Sequence, residues 1–326
     1  MFNTPILFLI FNRPDTTKLV FEQIRKVKPK YLYVAADGPR DDIEGEAVRC
    51  NETKKIIADG IDWECEVRTL YRQNNLGCGL AVSGAITWFF QHVEEGIILE
   101  DDILPNEHFF HYCETMLGRY RYKEDIFSIN GCSLGFSDSK SQYGLTRYFN
   151  MWGWAAWKRS WNLVQKIWGS FLDNPNILND IEIKQNLKLP VLWDSREWYK
   201  YWHNVFNQTA NGKIDTWDYQ CVYTVIKAGI FCIRPSQNMV INIGFNEEAT
   251  HTHYLNHQLS KMKYGFPFDA TTYKETMPVI SNEYETKFVA TLWNGYKPFG
   301  RSVIGRFISM LAKMPRTVAN IIRSKF

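Results

Sequence analysis

The sequence has no cysteine pairing pattern. Its seven cysteines, Cys50, Cys65, Cys78, Cys113, Cys132, Cys221 and Cys232, are scattered singly and form no CxxC. That argues against a disulfide framework and a zinc cluster, and leads us to expect reduced thiols in a cytosolic setting. Long apolar runs are also missing: "PILFLIF" near the N-terminus is too short to span a bilayer. With no basic region before it and Asn12 and Arg13 after it, it reads as a buried strand and not as a signal peptide. There is no GxGxxG after that strand and no GxxxxGK[ST], which argues against dinucleotide dehydrogenases and P-loop NTPases. Internal repeats, low-complexity segments and a linker of distinct composition are absent too. The formal net charge of +3 names no partner, so local charge placement must carry that argument.

What is present is apolar and aromatic. The 326 residues are 45% hydrophobic and 15% aromatic, enough for one large domain or two closely packed ones. Twelve Trp, seventeen Tyr and twenty-one Phe exceed what a core alone usually uses, so some are expected to line a sugar or nucleobase cleft. Over the first hundred residues, apolar runs ("PILFLIF", "YLYVAAD", "CEVRTLY", "GIILED") alternate with helical spacing ("RPDTTKLVFEQIRKV", "EAVRCNETKKIIADGI", "GLAVSGAITWFFQHV"). The alternation predicts an α/β fold with a mostly parallel sheet between helices, and a ligand beyond the carboxyl ends of its strands. Three stretches are expected: 1–143 for binding, 144–294 as an aromatic-rich second half of the same domain, and 295–326 as a basic tail.

The polar residues fall at the strand ends. Asn12 and Arg13 follow the first run, Asp37 the second, Arg72 the third, and Glu100, Asp101 and Asp102 the fourth. In "EEGIILEDDILP" a buried-looking strand runs into three adjacent carboxylates. Each like-charge contact at ~4 Å costs up to ~4 kcal/mol at an effective dielectric near 20, so something should offset the repulsion. A divalent Mg²⁺ or Mn²⁺ shared with a substrate's phosphates would do so, since such ions commonly use one or two carboxylates plus phosphate oxygens.

Six segments, in order from Pro5 to Thr252, resemble the GT-A glycosyltransferases, most of all the N-acetylglucosaminyltransferase I type and bacterial enzymes of capsule and lipopolysaccharide assembly. "ILFLIFNR" is similar to that family's opening strand, "VAADG" to its uracil-binding turn and "IILEDDI" to its metal-binding strand end. "FNMWGWAAW" is similar to its acceptor-side Gly-Trp element, "TWDYQ" to its Trp-Asp catalytic element, and "CIRPSQNMVINIGFNEEATHT" to its closing strand and His loop. The resemblance implies a metal-dependent, inverting transfer from a nucleotide diphosphate sugar, UDP-linked, to a glycan or polyprenyl-linked acceptor. It implies Asp102 as metal ligand, Asp101 toward the ribose, Glu100 toward the donor sugar, Asp37 on the base and Arg13 against the nucleotide. His251 falls where such enzymes place a histidine near metal or phosphate, with His253 competing for the role. Arg72 joins the nucleotide side only through the strand-end argument.

An inverting transfer needs one carboxylate to take the acceptor's proton, with the leaving diphosphate stabilised by the metal. Asp218 in "IDTWDYQ" is the expected base and Asp215 its alternate; Asp215 suits a cap of the helix that follows. Trp152, Gly153, Trp154 and Trp217 are expected at the acceptor and donor cleft, and Trp157 and Trp161, four apart, in packing. In the tail, Val303, Phe307, Leu311 and Met314 share a helical stripe that Val318, Ile321 and Ile322 continue, beside six basic residues and no acid. Such a segment, Arg301–Phe326, is expected to lie on the anionic inner face of a cell membrane as a peripheral anchor. Two rival readings remain: a sugar nucleotidylyltransferase, which would normally show a Gly-rich basic loop after its first strand, and a non-catalytic carbohydrate-binding protein.

Overall fold

The computed structural model describes residues 2–136, 142–173, 181–187, 195–245, 262–265 and 278–295. His251, His253 and the tail 301–326 lie outside them.

The chain opens with strand β1 (Ile6–Ile10), helix α1 (Pro14–Val27), β2 (Tyr31–Ala36), α2 (Glu46–Gly60), β3 (Glu66–Tyr71), α3 (Gly77–His92) and β4 (Glu95–Glu100). Every residue of β1 is buried and β4 is buried except at its ends, which is why these strands read as unbroken apolar runs. β3 departs from that pattern. Its first four residues are exposed because it is the edge of the sheet, with a neighbour on one side only. The chain continues through β5 (Ile103–Pro105), α4 (Glu107–Tyr120), β6 (Ile126–Asn130), β7 (Tyr143–Thr146), β8 (Trp154–Trp157) and α5 (Lys158–Asp173). Helices α6 (Ile181–Asn186), α7 (Ser195–Ala210) and α8 (Tyr219–Ala228), strands β9 (Phe231–Pro235) and β10 (Val240–Asn242), and helix α9 (Asn282–Gly295) follow among the described residues.

One eight-stranded sheet carries the fold, in the order β3-β2-β1-β4-β8-β6-β9-β7. β3, β2, β1 and β4 are mutually parallel, as are β6 and β9, while β8 runs against both β4 and β6. The expected α/β class, a mostly parallel sheet flanked by helices, is what the protein has. The expected division at 143 falls at the first residue of β7, a strand of this same sheet, so the core is continuous across it.

From β1 the chain steps outward through α1 and α2 to β3, then α3 returns it to the other side of β1 as β4. With crossovers of the usual right hand, this reversal of direction puts α3 on the face opposite α1 and α2, and makes the carboxyl ends of β1 and β4 the switch point where such sheets bind ligands. The second sheet, β5 paired with β10, lies just beyond the end of β4 and ties residues 240–242 to 103–105. Among the described residues no helix is long and apolar enough to cross a membrane.

Candidate active site

The polar residues of the strand ends share one edge of the sheet, Arg13 with the three carboxylates and Asp37 with Arg72. Arg13 follows β1, Asp37 follows β2, Arg72 follows β3 and Glu100 ends β4, all on one edge of four parallel strands. Arg13 is the counter-ion within the acidic knot, with Nη1 2.7 Å from Asp102 Oδ2 and 3.5 Å from Asp101 Oδ1. Burial opposes its charge, but Asp101, Asp102 and Glu100 outweigh that and raise its pKa.

The three carboxylates have different surroundings. Asp101, expected at a ribose, is buried, and its Oδ2 accepts from the Phe11 N–H at 3.0 Å. It thereby secures the turn that presents Arg13. Burial pushes its carboxyl up to about 7, with Asp102 adding to the rise and Arg13 and Phe11 opposing it. Glu100 is raised well above the usual range, first by burial and then by the charges of Asp102, Asp101 and Asp218. Asp102 keeps part of its side chain at the surface and is covered by the segment after β10. There the Ile243 N–H donates to the Asp102 carbonyl at 2.8 Å, and Gly244 comes so close that a Cβ would lie 2.3 Å from Asp102 Oδ2. Sequence reasoning missed Gly244. Only its place in the closing segment "VINIGFN" hinted at it.

Asp37, expected on the base, accepts from the Leu76 N–H at 2.9 and 3.1 Å and so holds the entry to α3. Burial raises its pKa, against the N–H groups of Leu76, Gly38 and Gly77 and the charge of Arg72. Asn75 Nδ2 donates to the Gly38 carbonyl at 2.8 Å, and a Cβ on Gly38 would meet the Asn74 carbonyl carbon at 2.4 Å, so only glycine permits this loop contact. Arg72 turns along α3, with Nη2 3.0 Å from where a Cβ on Gly84 would sit.

Asp218 is buried at the start of α8 without capping it by its side chain. Its Oδ1 accepts from Thr216 Oγ1, and it lies close enough to Glu100 for the two charges to interact. Asp215 does not cap α8. Its exposed carboxylate accepts from the Cys78 and Gly79 N–H groups at 2.9 and 2.8 Å and caps α3 instead.

The tryptophans are corrected most. Trp154 and Trp217 are 1% and 2% exposed and stack at 5.7 Å, so they belong to the core and not to a cleft wall. The reason is register: Trp154 pairs with Ile98 of β4 in the middle of the sheet, where a side chain has no route to solvent. Trp217 rests on it and carries Asp218 toward the end of β4. Trp152 is also buried and packs edge-on against Phe245. Gly153, at φ +57°, leaves no room for a side chain beside Val240 and Leu99. Trp157 and Trp161 are buried in packing, as expected.

Two more features were not legible. Cys78 sits among Glu100, Asp218, Asp215 and Arg13; burial first, then the three carboxylates, push its thiol far up. Glu46, with no exposed surface, accepts from Asn12 Nδ2 at 2.7 Å and from the Arg40 backbone N–H at 2.6 Å, and is paired with the Arg40 guanidinium at 2.5 Å. It ties the loop after β1 to the loop after β2. Burial alone would raise its pKa, but the hydrogen bonds from Arg40 and Asn12 overcome this and hold it below the ordinary value. The contribution is therefore complete above the unfolded-state value of about 4.3 and lost as pH falls through the lower folded value. We expect Glu46→Gln to lose about 1–3 kcal/mol at pH 7. In urea titrations the difference from wild type should shrink as the solution is acidified below about pH 4; an undiminished gap would refute this account.

Among the described residues no three His, Cys, Asp or Glu side chains form a ready-made metal cage. No protein-family model and no curated protein matches the sequence. Solved structures resemble it distantly. The S. aureus TarS 1–349 structure matches at TM-score 0.41 and 8% identity, over 92% of this chain and 73% of that one. UTP-bound UGPase from Acinetobacter baumannii matches at 0.36 and 8%, over 79% and 96%. Mouse xyloside xylosyltransferase 1 in its apo form matches at 0.34 and 8%, over 70% and 82%. Scores of this size assign neither activity nor substrate.

Proposed function

We propose that the protein is a metal-dependent glycosyltransferase of GT-A type, moving a sugar from a nucleotide diphosphate donor, UDP-linked, to a hydroxyl of a glycan or lipid-linked acceptor. The observation that carries this reading is that Glu100 feels the charges of both Asp102 and Asp218 at the carboxyl end of β4, beside the switch point of the sheet, with Arg13 as counter-ion to Asp102 and Glu100. Burying that much like charge raises the Glu100 and Asp101 pKa values. A site so built favours a cation.

The donor set suits a hard divalent ion. Mg²⁺ and Mn²⁺ take one or two carboxylates and complete their shell with phosphate oxygens and water, so no all-protein cage is needed. Asp102, partly exposed and paired with Arg13, would hold it, with Mn²⁺ or Mg²⁺ supplying charge neutralisation to the diphosphate leaving group. Asp218 takes the proton from the acceptor hydroxyl at one carboxylate oxygen while Thr216 Oγ1 steadies the other. Glu100 would face the donor sugar, and Asp101 would act by holding Arg13 and the turn at Phe11. One acid–base carboxylate suffices, which sets this site apart from the paired carboxylates of a glycosidase. Transfer with inversion, and a role in bacterial surface polysaccharide at the inner membrane face, extend the same proposal.

Thermal unfolding with a panel of nucleotides, each with and without Mn²⁺, tests it. UDP should raise Tm by several degrees only with metal present, since a ligand at ~100 times its Kd adds ~2.7 kcal/mol. Stabilisation by a nucleoside triphosphate and not by UDP would favour a nucleotidylyltransferase. No response to any nucleotide would leave a binding module.

A further inference from the structure

The loop that carries Asp218 is mounted at two points. Inside, Trp217 stacks on Trp154, which is paired to β4 two residues before Glu100. Outside, Asp215 reaches across to the first turn of α3, where both of its carboxylate oxygens accept backbone N–H bonds, from Cys78 and from Gly79. The first turn of a helix leaves such N–H groups without intrahelical partners, and the helix dipole favours a carboxylate there. The sequence of that turn admits the loop. A Cβ on Gly77 would lie 2.6 Å from Asp215 Oδ2, and a Cβ on Gly79 would lie 2.7 Å from Asp215 Oδ1 and 3.1 Å from the Thr216 carbonyl. Two glycines therefore clear the path for one aspartate.

The same turn is held from its other side by the nucleotide half. Leu76 N–H donates to Asp37, and Asn75 Nδ2 donates to the Gly38 carbonyl. Residues 75–79 thus join the end of β2 to the Asp218 loop. Between the mounts, Thr216 Oγ1 donates to Asp218, and the Asp218 carbonyl accepts from the Cys221 and Val222 N–H groups that begin α8. The inner mount sets how deep Asp218 sits. Asp215 sets where the loop stands along the rim.

We propose that Asp215 is a positioning residue, clamping the Asp218 loop to the first turn of α3 so that Asp218 is held in register with Glu100 and the end of β2. This rests on the reading of Asp218 as the base. The clamp is structural in means and kinetic in effect: a shift of about 1 Å at a reacting group costs on the order of 10²-fold in rate.

Three variants and two readouts test it. Asp215→Ala should lower kcat by about 10²-fold while the donor KM holds. Asp215→Asn, whose amide oxygen can still accept one N–H, should recover much of that loss. Gly79→Ala should lower kcat like Asp215→Ala although alanine is the better helix former, because its methyl displaces the loop. Amide hydrogen exchange should rise together in residues 76–80 and 214–219 in Asp215→Ala, and stay close to wild type in Asp215→Asn. Wild-type kcat in Asp215→Ala, or unchanged exchange in both segments, overturns the clamp. So does Asp215→Asn being as inactive as Asp215→Ala with exchange unchanged, which would make the Asp215 carboxylate itself the base. If the wild type transfers no sugar from any donor, the proposed function falls and the exchange readout still decides the clamp. If Asp215→Ala does not fold, Asp215→Asn and Gly79→Ala decide it by the same measures.

Discussion

Asp218→Asn should reduce transfer by about 10²- to 10⁴-fold, the usual worth of a positioned general base. The substitution keeps volume and can still accept from Thr216 Oγ1, so the bond that steadies the side chain survives while proton-accepting capacity goes. Trp217 on Trp154 and the two N–H groups received by the Asp218 carbonyl do not involve the carboxylate, so the loop should hold its place. Stability and metal-dependent donor binding should be near wild type. The loss should therefore fall on kcat. Near-wild-type turnover by a folded Asp218→Asn protein removes Asp218 from the mechanism. A fall in donor affinity matching the fall in rate would make its role one of binding.

Asp102→Ala should act on a different step. Losing this partly exposed carboxylate should abolish the Mn²⁺-dependent rise in Tm with UDP, and with it transfer, by roughly 10²- to 10³-fold for several kcal/mol of lost charge stabilisation. Without ligand the variant should be no less stable than a lost Arg13 bond explains, about 1 kcal/mol or less for a partly exposed pair, because one of three mutually repelling carboxylates has gone. Calorimetric binding and thermal unfolding, with and without metal, check both halves. Retained metal-dependent binding of UDP would move the metal away from Asp102. The two variants separate cleanly: Asp218→Asn keeps the thermal response and loses turnover, and Asp102→Ala loses both.

Much of the first half was legible because its elements obey local rules. β1, β2 and β4 are buried on both faces and so appear as apolar runs, and α1 shows its period in sequence. The carboxyl ends of parallel strands share one edge, so strand order and strand ends are enough to bring Arg13, Asp37, Arg72 and the Glu100–Asp102 knot together. The tryptophans were misread because composition reports how much aromatic surface exists and not where it faces. Trp154 looks like its neighbours in "MWGWAAW", and only its pairing with Ile98 buries it in the sheet. The Asp215 assignment failed for a similar reason. A local cap was expected four residues before Tyr219, and the N–H groups it meets belong to Cys78 and Gly79, more than a hundred positions earlier.

By itself, then, the sequence determined that an α/β sheet would present basic and acidic residues on one edge, because strand period, strand order and strand ends are local properties. Tertiary structure decided what each carboxylate meets. Asp101 turns in to Phe11, Asp37 holds α3, Asp215 crosses to the same helix, Asp102 pairs with Arg13, and Asp218 is buried beside Thr216. These choices depend on backbone N–H groups brought close by folding, and no spacing along the chain encodes them.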